Sequence, residues 1–269
     1  MSSVTKALAL LKHFSTDRPE IGLSQLCRLT GRDKATTYRY LQALEITGFV
    51  EQNQTTRHYR IGPSVMKLAQ VREETVPRKE GALSALSALA DATGETAHAT
   101  VLSGTTLYAL ASCESPMHGT RAVIDIDTFP LHATASGVCA LAFGPDNLFA
   151  IATSNLQRFT DTTPTTPDTL MSLVKTARET GFGSANQSYE AEIHGISAPV
   201  FDQTGAFAGA VSVATVAARL TPKLEATIKT HLVEASREIT RNWGGSPPAS
   251  LEACWTNSLS HSHVSDIAS

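Results

Sequence analysis

Residues 22–48 read GLSQLCRLTGRDKATTYRYLQALEITG. Ser24 is placed to cap a short helix running through Leu29, with Leu26 and Leu29 directed inward. Thr30-Gly31-Arg32 makes a tight connection. Asp33 is placed to cap a second helix, from Lys34 to Thr47, which stops at Gly48. Thr37, Leu41 and Leu44 share its inner stripe. Two short helices across a glycine turn, the second opening on basic residues, form a helix-turn-helix pattern. The second helix is the reader, because a duplex major groove admits one helix whose first residues reach base edges. Its outward positions near that end are Lys34, Ala35, Thr36, Tyr38 and Arg39.

The flanks complete a winged module spanning residues 1–62. Upstream, Val4, Leu8, Leu11 and Phe14 recur at helical spacing and predict one helix over 4–14. Downstream, Phe49-Val50-Glu51-Gln52 and His58-Tyr59-Arg60-Ile61 are strand-like runs around a polar turn, which predicts a hairpin. Arg57 and Arg60 on this wing are placed for phosphate. Residues 1–62 carry net charge +4 and the remaining 207 carry −7, although the whole chain is only −3. A basic module on an acidic body means that only the first segment faces a polyanion.

Two helices follow over residues 63–94, the first near Ser64 to Glu74 behind Pro63, the second carrying Leu83, Leu86, Leu89 and Ala90 and ending near Gly94. They are read as a helical linker. From 95 to 243 the pattern changes to six strand candidates, 96–102, 107–113, 121–127, 182–189, 193–201 and 206–215, interleaved with helices. This is an α+β arrangement around an antiparallel sheet flanked by helices. A last helix reaches about Trp243. Residues 244–269 open Gly/Pro/Ser-rich and read as a disordered tail.

The 269 residues are 42% hydrophobic and 17% charged, the composition of a globular chain. No apolar run reaches the roughly 18–20 residues that span a bilayer, and no signal peptide is evident, so no membrane partner and a cytoplasmic location are expected. The four cysteines, at 27, 113, 139 and 254, form no CxxC pair, so neither a metal site nor a cofactor is expected. Enzyme readings fare poorly. Gly195-Ile196-Ser197-Ala198-Pro199 lacks the closing glycine of a nucleophile elbow, and Gly181-Phe182-Gly183 lacks the third glycine of a dinucleotide fingerprint. Cys139 with a distant histidine reads better as a small buried residue than as a nucleophile pair.

The sequence resembles the IclR family of bacterial regulators in several motifs in order. They are Val4-Thr5-Lys6-Ala7-Leu8, Gly22-Leu23-Ser24-Gln25-Leu26, Lys34-Ala35-Thr36-Thr37-Tyr38-Arg39, and Gly48-Phe49-Val50-Glu51. Gly94-Glu95-Thr96-Ala97-His98, His132-Ala133-Thr134-Ala135-Ser136-Gly137 and Gly195-Ile196-Ser197-Ala198-Pro199 continue the match. The resemblance runs from residue 4 to about 243. It implies a winged helix-turn-helix joined to a GAF-like effector domain, with Lys34, Thr36, Tyr38 and Arg39 on the family's DNA-facing pattern. Ala35 stands where Ser is usual and Thr37 where an apolar residue is usual. For the effector it implies Gly137, Val138, Gly195, Ser212 and Ala214 at ligand-facing positions. Val138 replaces a common Lys and Gly195 a common Cys.

Read from the residues themselves, a site for a small anion needs donors converging in an apolar cleft. The candidates are His98, Tyr108, Arg121, His132, His194 and Ser212. Of these, His98 and His194 are read as structural, and Tyr108, Arg121, His132 and Ser212 are kept as effector-binding. The helix start near Ser136-Gly137 offers free N–H groups to a carboxylate.

The expected function is a ligand-responsive transcriptional regulator, a repressor or activator controlling a catabolic operon. Its expected partners are a palindromic double-stranded operator, a small carboxylate effector and other copies of itself, as homodimer or homotetramer. The alternatives are a DNA-binding protein whose large domain only oligomerises, and an enzyme fused to a helix-turn-helix.

Overall fold

The computed structural model describes residues 2–265, and the side chains of residues 2–260. The chain divides into two compact units, Met1–Pro77 and Arg78–Ser269.

The first unit opens with α1 (Ser3–Leu8), where the Ser2 hydroxyl accepts from the Thr5 amide. The chain then tightens into a 3-10 turn at Ala9–His13. The single helix expected over 4–14 is corrected on this point. Three residues per turn rotate the apolar stripe, so Leu10 is buried while Val4 and Leu8 stay exposed. Helix α2 (Leu23–Thr30) starts two residues earlier than a Ser24 cap would place it, with Gly22 as its cap. Paired backbone bonds between Ile21 and Tyr59, 2.8 and 2.9 Å, hold the chain just before it. Leu26 is buried as expected; Leu29, expected inward, is exposed. Gly31, at φ +64°, ends α2 in the left-handed conformation that suits glycine.

Helix α3 (Lys34–Ile46) is capped by Asp33, whose carboxylate accepts from the Thr36 amide at 2.8 Å. Thr37, Leu41 and Leu44 are buried. The wing is β1 (Val50–Gln52) against β2 (Tyr59–Ile61), antiparallel. Leu10, Ile21, Leu26, Leu41, Val50 and Tyr59 form the core of this unit. Helix α4 (Pro63–Thr75), with proline in its first turn, buries none of its residues.

The second unit comprises α5 (Glu80–Thr93), β3 (Thr96–Ser103), β4 (Thr106–Cys113), α6 (Ala135–Phe143), α7 (Asn147–Thr153) and α8 (Pro167–Thr180). It continues with β5 (Gly183–Asn186), β6 (Ile193–Phe201), β7 (Phe207–Val216), α9 (Pro222–Asn242) and α10 (Ala249–Ser265). The sheet order is β4-β3-β7-β6-β5, antiparallel throughout. Helices α5 and α9 pack together on one face, and α6, backed by α8, packs on the other. This is the α+β architecture expected from the sequence.

Three expectations for this unit are corrected. The second helix of the expected linker, α5, is part of this unit: Ala82, Ala85, Leu86 and Leu89 are buried in its core beside α9. Its apolar stripe is strong enough to be core. Residues 121–127, expected as a strand, form an extended segment outside the sheet, tied to β4 by the Ala109 amide donating to Asp127 O and the Phe129 amide to Leu107 O. The tail is not disordered where it is described: beyond the Gly/Pro/Ser stretch, Leu251 and Trp255 stand one helical turn apart and are buried, and they seat α10 on α8 and α9.

Candidate DNA-binding surface and effector cleft

The leading turn of α3 is built to present side chains outward. Its cap satisfies the Thr36 amide, and its inner stripe buries Thr37, Tyr40 and Leu41. Hydrogen bonding to the Thr36 backbone holds the Asp33 carboxyl below the usual carboxylate range. Lys34, Ala35, Tyr38 and Arg39 are exposed, and Thr36 is half-buried. Lys34 and Arg39 have no ion-pair partner among the described residues. The Tyr38 hydroxyl accepts from Gln42 at 3.2 Å, which adds a polar group one turn further along.

On the wing, Asn53 organises the turn by accepting from the Thr55 and Thr56 amides. This places Arg57 at φ +59° and exposed. Arg60 is less free than expected: its guanidinium donates to Glu51 at 2.6 Å and lies 3.7 Å from Glu20. A cleft runs between the start of α2, α3 and the wing, and Gln25, Arg28, Lys34, Tyr38, Arg57 and His58 line it. Arg28 was missed in the sequence because only the folded wing brings the end of α2 beside Arg57.

The second unit holds a cleft between the sheet and α6, walled by the 121–127 segment and the 188–193 loop. The register explains it. His98 pairs with Ser212, and Ser212 with Ser197, so three polar side chains form one row beneath α6. The next row is Thr96, Ala214 and Gly195. There the sheet is nearly bare, and a Cβ on Gly195 would come within 3.0 Å of Ala135 Cβ. Ile124, Ile126, Phe129 and Ile193 supply apolar walls, and Asp125 and Glu190 line its exposed side. No lysine or arginine is among its lining residues.

Of the effector residues expected from the sequence, Gly195 and Ala214 line this cleft. Ser212 sits immediately behind it, 2.7 Å from the Ser136 hydroxyl, which does line it. The others are corrected. Tyr108 is on the edge strand β4, paired with Thr128 and away from the lining. Arg121 is held by Glu114 outside the lining. His132 lies 2.8 Å from Gln157 O through Nε2 and stacks on Phe159, so it holds the turn before α6. Gly137 packs against Leu131 O and Pro130 O, and Val138 is in the core.

His98, read as structural in the sequence, is buried in the cleft wall and stacks on Phe129 at 5.1 Å. Burial lowers its pKa to about 4. Its Nδ1 has no hydrogen-bond partner among the described residues. The Cys139 thiol is pushed up to about 12 by burial, which removes it as a nucleophile.

A pH dependence follows from His98. The unfolded side chain takes a proton near 6.5, and the native one refuses it until about 4. The unfolded state therefore binds more protons between those values. Stability of the second unit is fully present above 6.5 and is expected to fall as pH drops toward 4. Melting temperatures across that window should show the slope in the natural protein and its loss in His98→Asn.

Comparison with known proteins places this geometry. Residues 3–54 match the profile of the IclR helix-turn-helix domain, and residues 76–241 match that of the bacterial transcriptional regulator IclR C-terminal domain. The transcriptional regulator XynR of Escherichia coli K12 is 24% identical over 246 residues, 91% of this chain and 98% of its own. The glycerol operon regulatory protein of Streptomyces coelicolor is 27% identical over 242 residues, covering 90% of this chain and 94% of its own. A crystal structure from Silicibacter sp. TM1040, described as an IclR transcriptional regulator, superposes with a TM-score of 0.87 at 36% identity, over 93% of this chain and 99% of that one. An IclR homolog from Microbacterium hydrocarbonoxydans, complexed with 4-hydroxybenzoate, shares the fold with a TM-score of 0.73 at 22% identity, over 90% and 99% of the two chains.

Proposed function

Because the chain belongs to the IclR family of bacterial transcriptional regulators, we propose that it controls a catabolic operon in response to a small organic acid. DNA binding through the helix-turn-helix and a regulatory rather than enzymatic role come with the family. The effector, the operon and the residues that serve each are our reading. The observation that carries it is a division of chemistry. The first unit presents an exposed basic turn on α3 with no ion-pair partner among the described residues, and the second encloses an apolar cleft lined by a buried histidine whose Nδ1 has no partner among the described residues. The operon reading is supported by relatives named for glycerol and pca operons.

On DNA, Lys34, Ala35, Thr36, Tyr38 and Arg39 meet base edges and flanking phosphates in the major groove, and Arg57 meets phosphate from the wing. Arg60 contributes only if Glu51 releases it. Two copies bind a palindrome whose half-sites lie one helical turn or a multiple apart. Exposed Met66, Leu68 and Val71 on α4 give the first unit apolar surface for a second copy. Effector binding draws the 121–127 segment and 188–193 loop onto the ligand and changes operator affinity by a coupling of about 1–3 kcal/mol.

The test is fluorescence anisotropy on a footprinted operator, with salt varied and candidate acids added. The logarithm of the affinity should fall with the logarithm of salt by about 0.9 per phosphate contact. A saturable acid should shift it. Binding without sequence preference sinks the operator reading. The large domain would serve oligomerisation alone if no small molecule changed operator affinity or melting temperature.

A further inference from the structure

We propose that His98 selects the effector: its Nδ1–H and the free amides of Ala135 and Ser136 hold the carboxylate of a monocarboxylic acid whose apolar body lies along Ile124, Phe129 and Ile193. The inference rests on the effector reading of the cleft given above.

Three observations carry it. The first is the orphaned Nδ1 of His98, a residue that lines the cleft. A buried polar atom without a partner keeps an uncompensated desolvation cost, which a ligand that supplies the partner removes. The second is the tautomer. Ser212 Oγ and Ser136 Oγ are 2.7 Å apart, and Ser136 Oγ is 3.5 Å from His98 Nε2. Ser136 is the one partner Ser212 has among the described residues, so the Ser212 proton points to Ser136. The Ser136 proton then points to Nε2. The imidazole is neutral, and its own proton sits on Nδ1, as a donor. The opposite arrangement strands the Ser212 proton inside the core.

The third is the start of α6. Thr134 takes the Gly137 amide with its hydroxyl and the Val138 amide with its carbonyl. The amides of Ala135 and Ser136 lie in the first turn, without partners among the described residues, and both residues line the cleft. Through Ser136, this helix end and His98 are neighbours. Three donors at a helix N-terminus suit one carboxylate. The rest of the cleft opposes a second one: it has no lysine or arginine, and Asp125 and Glu190 stand on its exposed side. Gly195 leaves the approach to the Ala135 amide open, because any side chain there meets Ala135.

The experiment is calorimetric titration and thermal shift of the full-length protein with benzoate, phenylacetate and 4-hydroxybenzoate, their neutral amides, and isophthalate. At least one monocarboxylate should bind saturably, and its amide and the dicarboxylate should bind at least about 10-fold more weakly. His98→Asn keeps a donor near the Nδ1 position and should retain most of the affinity. His98→Phe keeps the stack on Phe129 but has no donor, and His98→Gln moves its donor toward Nε2. Each should lose at least about 10-fold. Ring 15N spectra of the natural protein, which need no variant to fold, should show the Nδ1-protonated tautomer. An Nε2-protonated ring, an amide that binds like its acid, or full affinity in His98→Phe overturns the inference and leaves the effector cleft standing. No saturable binding from any member of the panel overturns both.

Discussion

Replacing Trp255 with alanine is expected to destabilise the second unit by about 3–5 kcal/mol, the usual cost of removing a large buried aromatic side chain. Trp255 is fully buried. Its indole N–H donates to Gly181 O at 2.9 Å, and its ring lies 6.4 Å from that of Phe182. Arg237 approaches its ring to 5.9 Å and is itself paired with Glu252 on α10. Gly181 is the matching half: at φ +82° it ends α8, and a Cβ there would meet Trp255 Cδ1 at 2.4 Å. Chemical denaturation of Trp255→Ala against the natural chain reads the loss directly. Trp255→Phe keeps most of the apolar contact and gives up the Gly181 bond, so its cost should be smaller. A loss below about 1 kcal/mol for Trp255→Ala would show that α10 does not hold α8 and β5 in place.

Arg39→Ala is expected to weaken operator binding by about 1–3 kcal/mol, or roughly 5- to 150-fold, while effector-induced stabilisation stays unchanged. Arg39 is exposed on the leading half of α3, and no acidic side chain among the described residues competes for it. It is therefore expected to reach DNA without first breaking an ion pair. Arg60 differs, because removing it also frees Glu51 and Glu20 to repel phosphate. If Arg39 contacts only phosphate, the loss will be uniform across operator variants and the salt slope will fall by about one unit. If it reads a base edge, specificity at one position will relax. Loss of both DNA binding and effector stabilisation in Arg39→Ala would contradict the division of labour between the two units.

The first unit was nearly fully legible in the sequence because its signals are local. Asp33 caps within three residues, Gly31 and Gly48 end helices by their own backbone freedom, and Thr37, Leu41 and Leu44 repeat at helical spacing. The shifted start of α2 goes with a long-range contact. Ile21 is tied to Tyr59, thirty-eight residues away, just before α2, and the cap lies at Gly22 rather than Ser24. The segment at 121–127 looked like a strand because its side chains alternate, but alternation does not say whether a sheet edge is free to receive it.

The identity of the fold, helix α3 and its basic turn were thus written in the amino-acid order alone, since caps, turns and helical stripes act within a few residues. The cleft of the second unit was not. Val138 and His132 looked suitable by position, yet they went into the core and the preceding turn, and His98, which looked structural, lines the cleft with an Nδ1 that has no partner among the described residues. Which residues converge there depends on the pairing of β3 with β7 and of β7 with β6, and on α6 lying across those rows. Register brings together residues separated by more than one hundred positions, and no local pattern encodes it.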